Sequence, residues 1–320
     1  MGNRAAVRVS AGLTVQVIVV GALLVGSATP AFAARPAHSG GGGGGGGSTT
    51  TGFDVSYPQC GTTLPTSTAF GIVGVNGGVA SDSNPCFGPS PSYPSYTQNE
   101  LYWAVSTSTG TSNLKTKALL YVNTGDPGNV YNGKVISDWP TSSNSDDPTP
   151  CLTTTVTLSS GTPTVGANSD GCAWQYGYNM AQADAASLTS AAIAINAQKS
   201  TVTVPTTPSS YPWWLDVETA NTWQPDTTMN VADLQGMIAG LNAEGVPTSS
   251  VGVYSTSSQW GTITGGTATS AAGSLYKLAN WIPGARTLRG AESNCKLTSF
   301  TGGHVTITQW TGTIDNDYAC

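Results

Sequence analysis

Short apolar runs, each closed by polar or turn-forming residues, recur along the chain. They are 53–56 (FDVS), 70–75 (FGIVGV), 118–122 (ALLYV), 213–218 (WWLDVE), 251–255 (VGVYS), 278–282 (LANWI) and 305–310 (VTITQW). Runs of this length flanked by Gly, Pro and Asn read as buried strands. Between them the period changes. Trp174, Tyr178, Ala181, Ala185, Leu188, Ala192 and Ile195 step by four and three, which is one apolar stripe along a long helix. A second helix is expected over 231–244, with Asn230 as its cap, Asp233 in its first turn, and Gly245 and Pro247 ending it. Shorter helices are expected near 98–106 and over 257–263, and a further strand has room in 287–297.

Strands alternating with helices define an α/β protein with a parallel sheet. Their number suits a single (β/α) TIM-like barrel, irregular in its last third. A doubly wound open sheet is the alternative, but no G-x-G-x-x-G follows any strand, so a dinucleotide site has no support. Residues 140–172 are rich in Ser, Thr and Pro and bracketed by Cys151 and Cys172. They read as an inserted loop or hairpin that a disulfide must pin.

The first fifty residues change the picture of where the protein works. Arg4 and Arg8 precede an apolar segment over 13–25, and Ala31-Phe32-Ala33 gives a small-x-small cleavage site. Residues 1–33 therefore read as a secretory signal peptide. Residues 34–51, with an unbroken glycine run over 40–47, read as a flexible tether, and 52–320 as the barrel. A secreted, extracellular protein with no membrane span after cleavage is expected.

Export makes disulfides the expected fate of the six cysteines. Of the roughly 15 possible pairings the sequential one is expected: Cys60–Cys86, Cys151–Cys172 and Cys295–Cys320. No C-x-x-C pair exists and the two histidines are His38 and His304, so no metal is expected. All 17 acids follow the tether, while Arg4, Arg8 and Arg35 precede the fold and leave it eight bases of the 11. So acidic a surface excludes nucleic acid as a partner.

Against that background the run 213–218 stands out. Side chains alternate along a strand, so Trp214, Asp216 and Glu218 share one face, and Trp213, Leu215 and Val217 the other. Other strand ends are also polar: Asp54 on the first, Tyr254 on the fifth, and Gln309 and Trp310 on the last, with Asp315 and Asp317 just beyond. In a parallel barrel those ends form the active face. Closing it with the first strand beside the last would bring Asp54 and Asp315 across one pit from Asp216 and Glu218. Crowded carboxylates cannot all ionise, so one becomes a general acid while another stays charged, which is the pair that glycoside cleavage needs. Asp315 and Asp317 lack calcium-loop spacing, and their ordinary reading is exposure to solvent. Trp260, Trp281 and Trp310 are by default core aromatics, and Tyr254 is the strongest sugar contact. His304 is read as structural, since without a G-x-S-x-G a Ser-His-Asp hydrolase is set aside.

Several segments carry a resemblance. Gly52-Phe53-Asp54-Val55-Ser56-Tyr57-Pro58-Gln59 resembles the opening strand of the family 25 glycoside hydrolases, the Chalaropsis-type lysozymes. Leu215-Asp216-Val217-Glu218 matches their D-x-E strand, and Gly252-Val253-Tyr254-Ser255 with Trp260 their G-x-Y-S…W segment. Thr308-Gln309-Trp310 and Ile314-Asp315-Asn316-Asp317-Tyr318 resemble their closing segments, with Asp317 where Asn is usual. The resemblance implies a retaining hydrolase of the β-1,4 link after N-acetylmuramic acid. It implies Glu218 as general acid and Asp216 as nucleophile or as the group orienting the substrate acetamide. Asp54 and Asp315 would be supporting carboxylates and Tyr254 a substrate contact. From their places on the strands, Trp214, Trp310 and Gln309 are expected to contact substrate as well. The expectation is a secreted monomeric glycosidase of lysozyme type, acting on the polysaccharide of the cell wall without a cofactor. A non-catalytic glycan-binding barrel is the alternative. A structural wall protein is disfavoured, as no anchoring tail or repeat is seen.

Overall fold

In a computed structural model, residues 50–77, 83–266 and 275–320 are described. The expected signal peptide and nearly all of the tether lie outside them. Among the described residues no helix is long and apolar enough to cross a membrane.

The chain runs β1 (Thr51–Val55), β2 (Phe70–Gly74), α1 (Glu100–Thr107) and β3 (Ala118–Asn123), then the small hairpins β4 (Val130–Tyr131) with β5 (Lys134–Val135) and β6 (Thr153–Thr155) with β7 (Thr164–Gly166). It continues through α2 (Asp170–Ala197), β8 (Trp213–Asp216), α3 (Thr227–Ala243), β9 (Val251–Tyr254), α4 (Ser257–Thr264) and β10 (Ala279–Ala285). It ends with α5 (Leu288–Asn294), β11 (Val305–Trp310) and β12 (Asn316–Ala319).

Eight strands close a barrel in the order β1-β12-β11-β10-β9-β8-β3-β2. The first seven in sequence pair in parallel with their barrel neighbours, whereas β12 is antiparallel to both β11 and β1. The first strand therefore does not meet Val305–Trp310, as expected; β12 lies between them. The reason is length. Only residues 311–315 separate β11 from β12, and a parallel return needs a crossover of a dozen residues or more.

Two further expectations are corrected. Residues 287–297 hold no strand but α5, whose cap is Thr287 accepting from the Gly290 amide at 3.2 Å. The helix expected from 231 begins earlier, at Thr227. Asp226 caps it by accepting from Thr228 N at 3.0 Å. Asn230 is buried within it instead, donating its side-chain amide to Gln224 O at 2.9 Å and Ile263 O at 3.0 Å.

The disulfides join Cys60 to Cys86, Cys151 to Cys172 and Cys295 to Cys320. The second brackets the β6–β7 hairpin, whose β6 residues are all exposed and contribute nothing to a core.

Strand alternation sorts the apolar side chains into two layers. Val73, Leu120, Val122, Trp213, Leu215, Val217 and Val253 face outward and pack under the helices with Leu188, Ile195, Leu234 and Ile238. Phe70, Ile72, Leu119, Trp214, Trp281, Ile307 and Ala319 fill the barrel interior. Large rings fit there because glycine faces them: a Cβ on Gly252 would stand 2.3 Å from the Trp214 ring, and one on Gly52 2.5 Å from Phe70. Trp281 is the hub, with Trp214 at 6.0 Å, Tyr121 at 6.1 Å and Tyr254 at 4.5 Å between ring centroids. Above these rings, at the carboxyl ends of the parallel strands, the interior turns polar.

Candidate active site

Each acid reaches the pit through the strand that carries it. Asp54 faces inward from β1 as its last residue but one, since Phe53 and Val55 pack outward. Its backbone N–H donates to Asp315 O at 3.3 Å, which ties β1 to the link before β12. Asp216 ends β8 and is buried. Thr124 fixes its backbone carbonyl with both its N–H (3.2 Å) and its hydroxyl (2.6 Å), so the β3 and β8 ends move as one. Glu218 lies two residues beyond the strand, half-buried at the lip. Trp223 Nε1 donates to its carbonyl at 2.8 Å, while its carboxylate accepts from Gln259 Nε2 at 3.5 Å.

Burial raises the pKa of every one of these acids. For Asp216 burial comes first, then the charges of Glu218 and Asp54, and the carboxyl is held well above its usual range. Its Oδ1 is buried without a donor among the described residues. Glu218 is also raised, by burial, against the hydrogen bond from Gln259. Asp54 is pushed from 3.8 up to about 6 by burial and then Asp315, with the hydrogen bond from Gln309 opposing. Asp315 is raised by burial, with the Gly312 amide opposing.

Tyr254 stands among all four. Its hydroxyl donates to Gln309 Oε1 at 3.0 Å, and Gln309 Nε2 donates to Asp54 Oδ2 at 2.9 Å. Burial pushes its phenol well up, and the charges of Glu218, Asp216, Asp54 and Asp315 each push it further. Acids from β1, β8 and the β11–β12 link thus share one electrostatic environment around one phenol.

Four expected residues are placed otherwise. Trp214 is 3 % exposed and sits below Asp216 in the aromatic stack, so it is core and not a sugar platform. Alternation along β11 points Trp310 away from the face that bears Gln309. Gln309 itself is buried, with both ends of its amide engaged by protein. Asp317, expected in solvent, is fully buried and accepts from Trp281 Nε1 at 2.8 Å. Nothing in the sequence marked Gln259, Thr124 or Trp223. The end of β2 brings no acid: Asn76 clamps β3 by accepting from Asn123 N at 2.8 Å and donating to Asn123 O at 3.0 Å.

Other acids are buried away from the pit. Glu100 accepts from Asn84 Nδ2 at 2.7 Å through Oε2, has no donor to Oε1 among the described residues, and is pushed up to about 7 by burial. Asp126 is likewise at about 7, and burial holds Asp184 and Asp233 well above the usual carboxylate range.

The closed α/β barrel thus gathers these acids at the carboxyl ends of its strands, the face on which parallel barrels carry their active sites. The model of the family described as "Lysozyme-like protein 1" matches residues 179–282, which hold the central strand, Tyr254 and Trp260. "Probable GH family 25 lysozyme 4" of Dictyostelium discoideum is 41% identical over 70 residues, 21% of this chain. The match spans 30% of the length of that relative. The crystal structure of the bacterial lysozyme from Streptomyces coelicolor is 15% identical at a TM-score of 0.43, over 85% of this chain and 92% of that one. In sequence, then, the stretch 179–282 is lysozyme-like, and a 70-residue match reaches a relative described as a family 25 lysozyme.

Proposed function

We propose that the protein is a glycosidase of lysozyme type that cleaves β-1,4 links in peptidoglycan or a related N-acetylated glycan. The observation that carries this reading is the linkage at the strand ends: Tyr254 pairs in register with Asp216 and donates to Gln309, Gln309 donates to Asp54, and the Asp54 N–H meets Asp315 O. Glu218, at the open lip, is the acid that an entering glycosidic oxygen meets first, and it protonates the leaving group. Asp216, deeper on the same face, faces the sugar from within, as nucleophile or by orienting the acetamido group. Asp216 and Glu218 titrate as a pair, and burial raises both above the usual carboxylate range, which keeps a proton at the site for transfer to the leaving group. Asp54 and Asp315 supply negative charge to the oxocarbenium-like centre, and Tyr254 contacts the sugar. The enzyme is secreted and works as a monomer without a cofactor.

Purified protein incubated with peptidoglycan should release new reducing ends. Glu218→Gln should lower that rate by about 10²- to 10⁴-fold with the circular dichroism unchanged. Saccharide binding with no reducing ends from the wild type would instead identify a non-catalytic glycan-binding barrel. Wild-type rates from the Gln variant would remove Glu218 from the chemistry.

A further inference from the structure

We propose that Asp317 is a positioning residue: it enters the pit as a neutral carboxylic acid and donates a hydrogen bond to Asp54. The proposal deepens the glycosidase reading and rests on it only for what Asp54 does in turnover.

Asp317 alternates with Ala319 on the inner face of β12, in register with Gln309 on β11 and Gly52 on β1. It has no exposed surface. Trp281 Nε1 donates to Oδ1 at 2.8 Å, and Oδ2 has no donor among the described residues. The charges acting on it are those of Asp54 and Asp315, and neither is basic. Ionised, it would be an uncompensated buried anion beside two other carboxylates, a state that proteins avoid by neutralising the group. Burial and then Asp54 accordingly hold its pKa well above the usual range.

A neutral carboxyl has an O–H that needs an acceptor. Asp54 lies two residues along β1 from Gly52, the register partner of Asp317, and is held by Gln309, the partner of Asp317 on β11, so it is the acceptor on the same inner face. The other side of Asp54 is already fixed. Tyr254 engages Gln309 Oε1, which turns the Gln309 amide N–H toward Asp54 Oδ2. Asp54 is then gripped by donors from β11 and β12, and both favour its charged form against burial and Asp315. Asp216 from β8, Tyr121 from β3 and Tyr254 from β9 are the remaining titratable groups facing Asp54. One proton on Asp317 thus keeps a negative charge on Asp54.

The full chain, Asp317→Asn and Asp317→Ala provide the test. Infrared difference spectra of wild type against Asp317→Asn at neutral pH should show the loss of one protonated-carboxyl band, with those of the other buried acids cancelling. This readout needs no turnover. In pH profiles of kcat/KM, Asp317→Ala should move the acid limb up by about one pH unit, since one charge-assisted hydrogen bond is lost. Asp317→Asn, whose amide can both accept from Trp281 and donate to Asp54, should restore it. A merely structural role would lower rates without moving the limb. An ionised Asp317 would show as an acid limb displaced downward in Asp317→Asn, with no band lost, and either result overturns the proposal. If Asp317→Ala does not fold, the band and the Asn profile still decide. Absence of reducing ends with the band intact would fault the glycosidase reading alone.

Discussion

Replacing Glu100 by Gln should flatten the dependence of stability on pH. The side chain is 1 % exposed between α1 and the β2 loop, and burial lifts its pKa from 4.5 to about 7. Between those values the folded chain binds more protons at this site than the unfolded chain, so stability falls as pH rises. The penalty is absent below 4.5 and complete above about 7, where it amounts to about 3 kcal/mol. Gln carries no titrating proton. Its amide places an N–H₂ where Oε1 has no partner, which costs the same at every pH, so the informative quantity is the slope. Urea unfolding of both proteins, disulfides intact, should show the gap between Glu100→Gln and wild type growing by about 2–3 kcal/mol in favour of the variant from pH 5 to pH 8. Parallel curves would refute the reasoning, because they would mean that Glu100 finds compensation as an anion in the fold.

Gly252→Ala should destabilise the barrel by about 1–3 kcal/mol, measured by urea unfolding, because the new methyl meets the Trp214 ring at 2.3 Å. Near-ultraviolet circular dichroism should change with it, as Trp214 leans on Trp281. Tyr254→Phe removes the hydroxyl that orients Gln309, so Asp54 should titrate above its present value of about 6. The acid limb of kcat/KM should move up with it; an unmoved limb would show that Gln309 needs no orienting. Removing Cys151 and Cys172 together opens a loop of sequence separation 21 and should cost about 3 kcal/mol, with the β6–β7 hairpin becoming the first site of proteolysis.

The apolar runs made most of the fold legible, because strands buried on both faces must be apolar throughout. Alternation along the central run correctly set Trp214 and Asp216 against Leu215 and Val217. What escaped was decided by connection length and by depth. The four residues of β12 carry one charge and no aliphatic run, so their strand character comes from pairing with β1 and β11 and from little of their own propensity. Asp317 reads as a surface acid for the same reason: nothing local says that both its neighbours are already strands. Trp214 and Trp310 illustrate the other limit. A sequence shows which face an indole takes, but its height above the barrel floor depends on register with strands far away in the chain. The roles of Gln259 and Thr124 depend on such long-range register as well.

The antiparallel seam also governs when the pit can exist. Thr51 stands opposite Tyr318, so the two ends of the described chain are side by side at the closure, and the Cys295–Cys320 bridge fastens the later one. Contacts so remote in sequence form late in folding. A chain still emerging, or one clipped inside α5, holds Asp54 and Asp216 but no closed rim to gather them, and its acids stay apart until the final strand is zipped in.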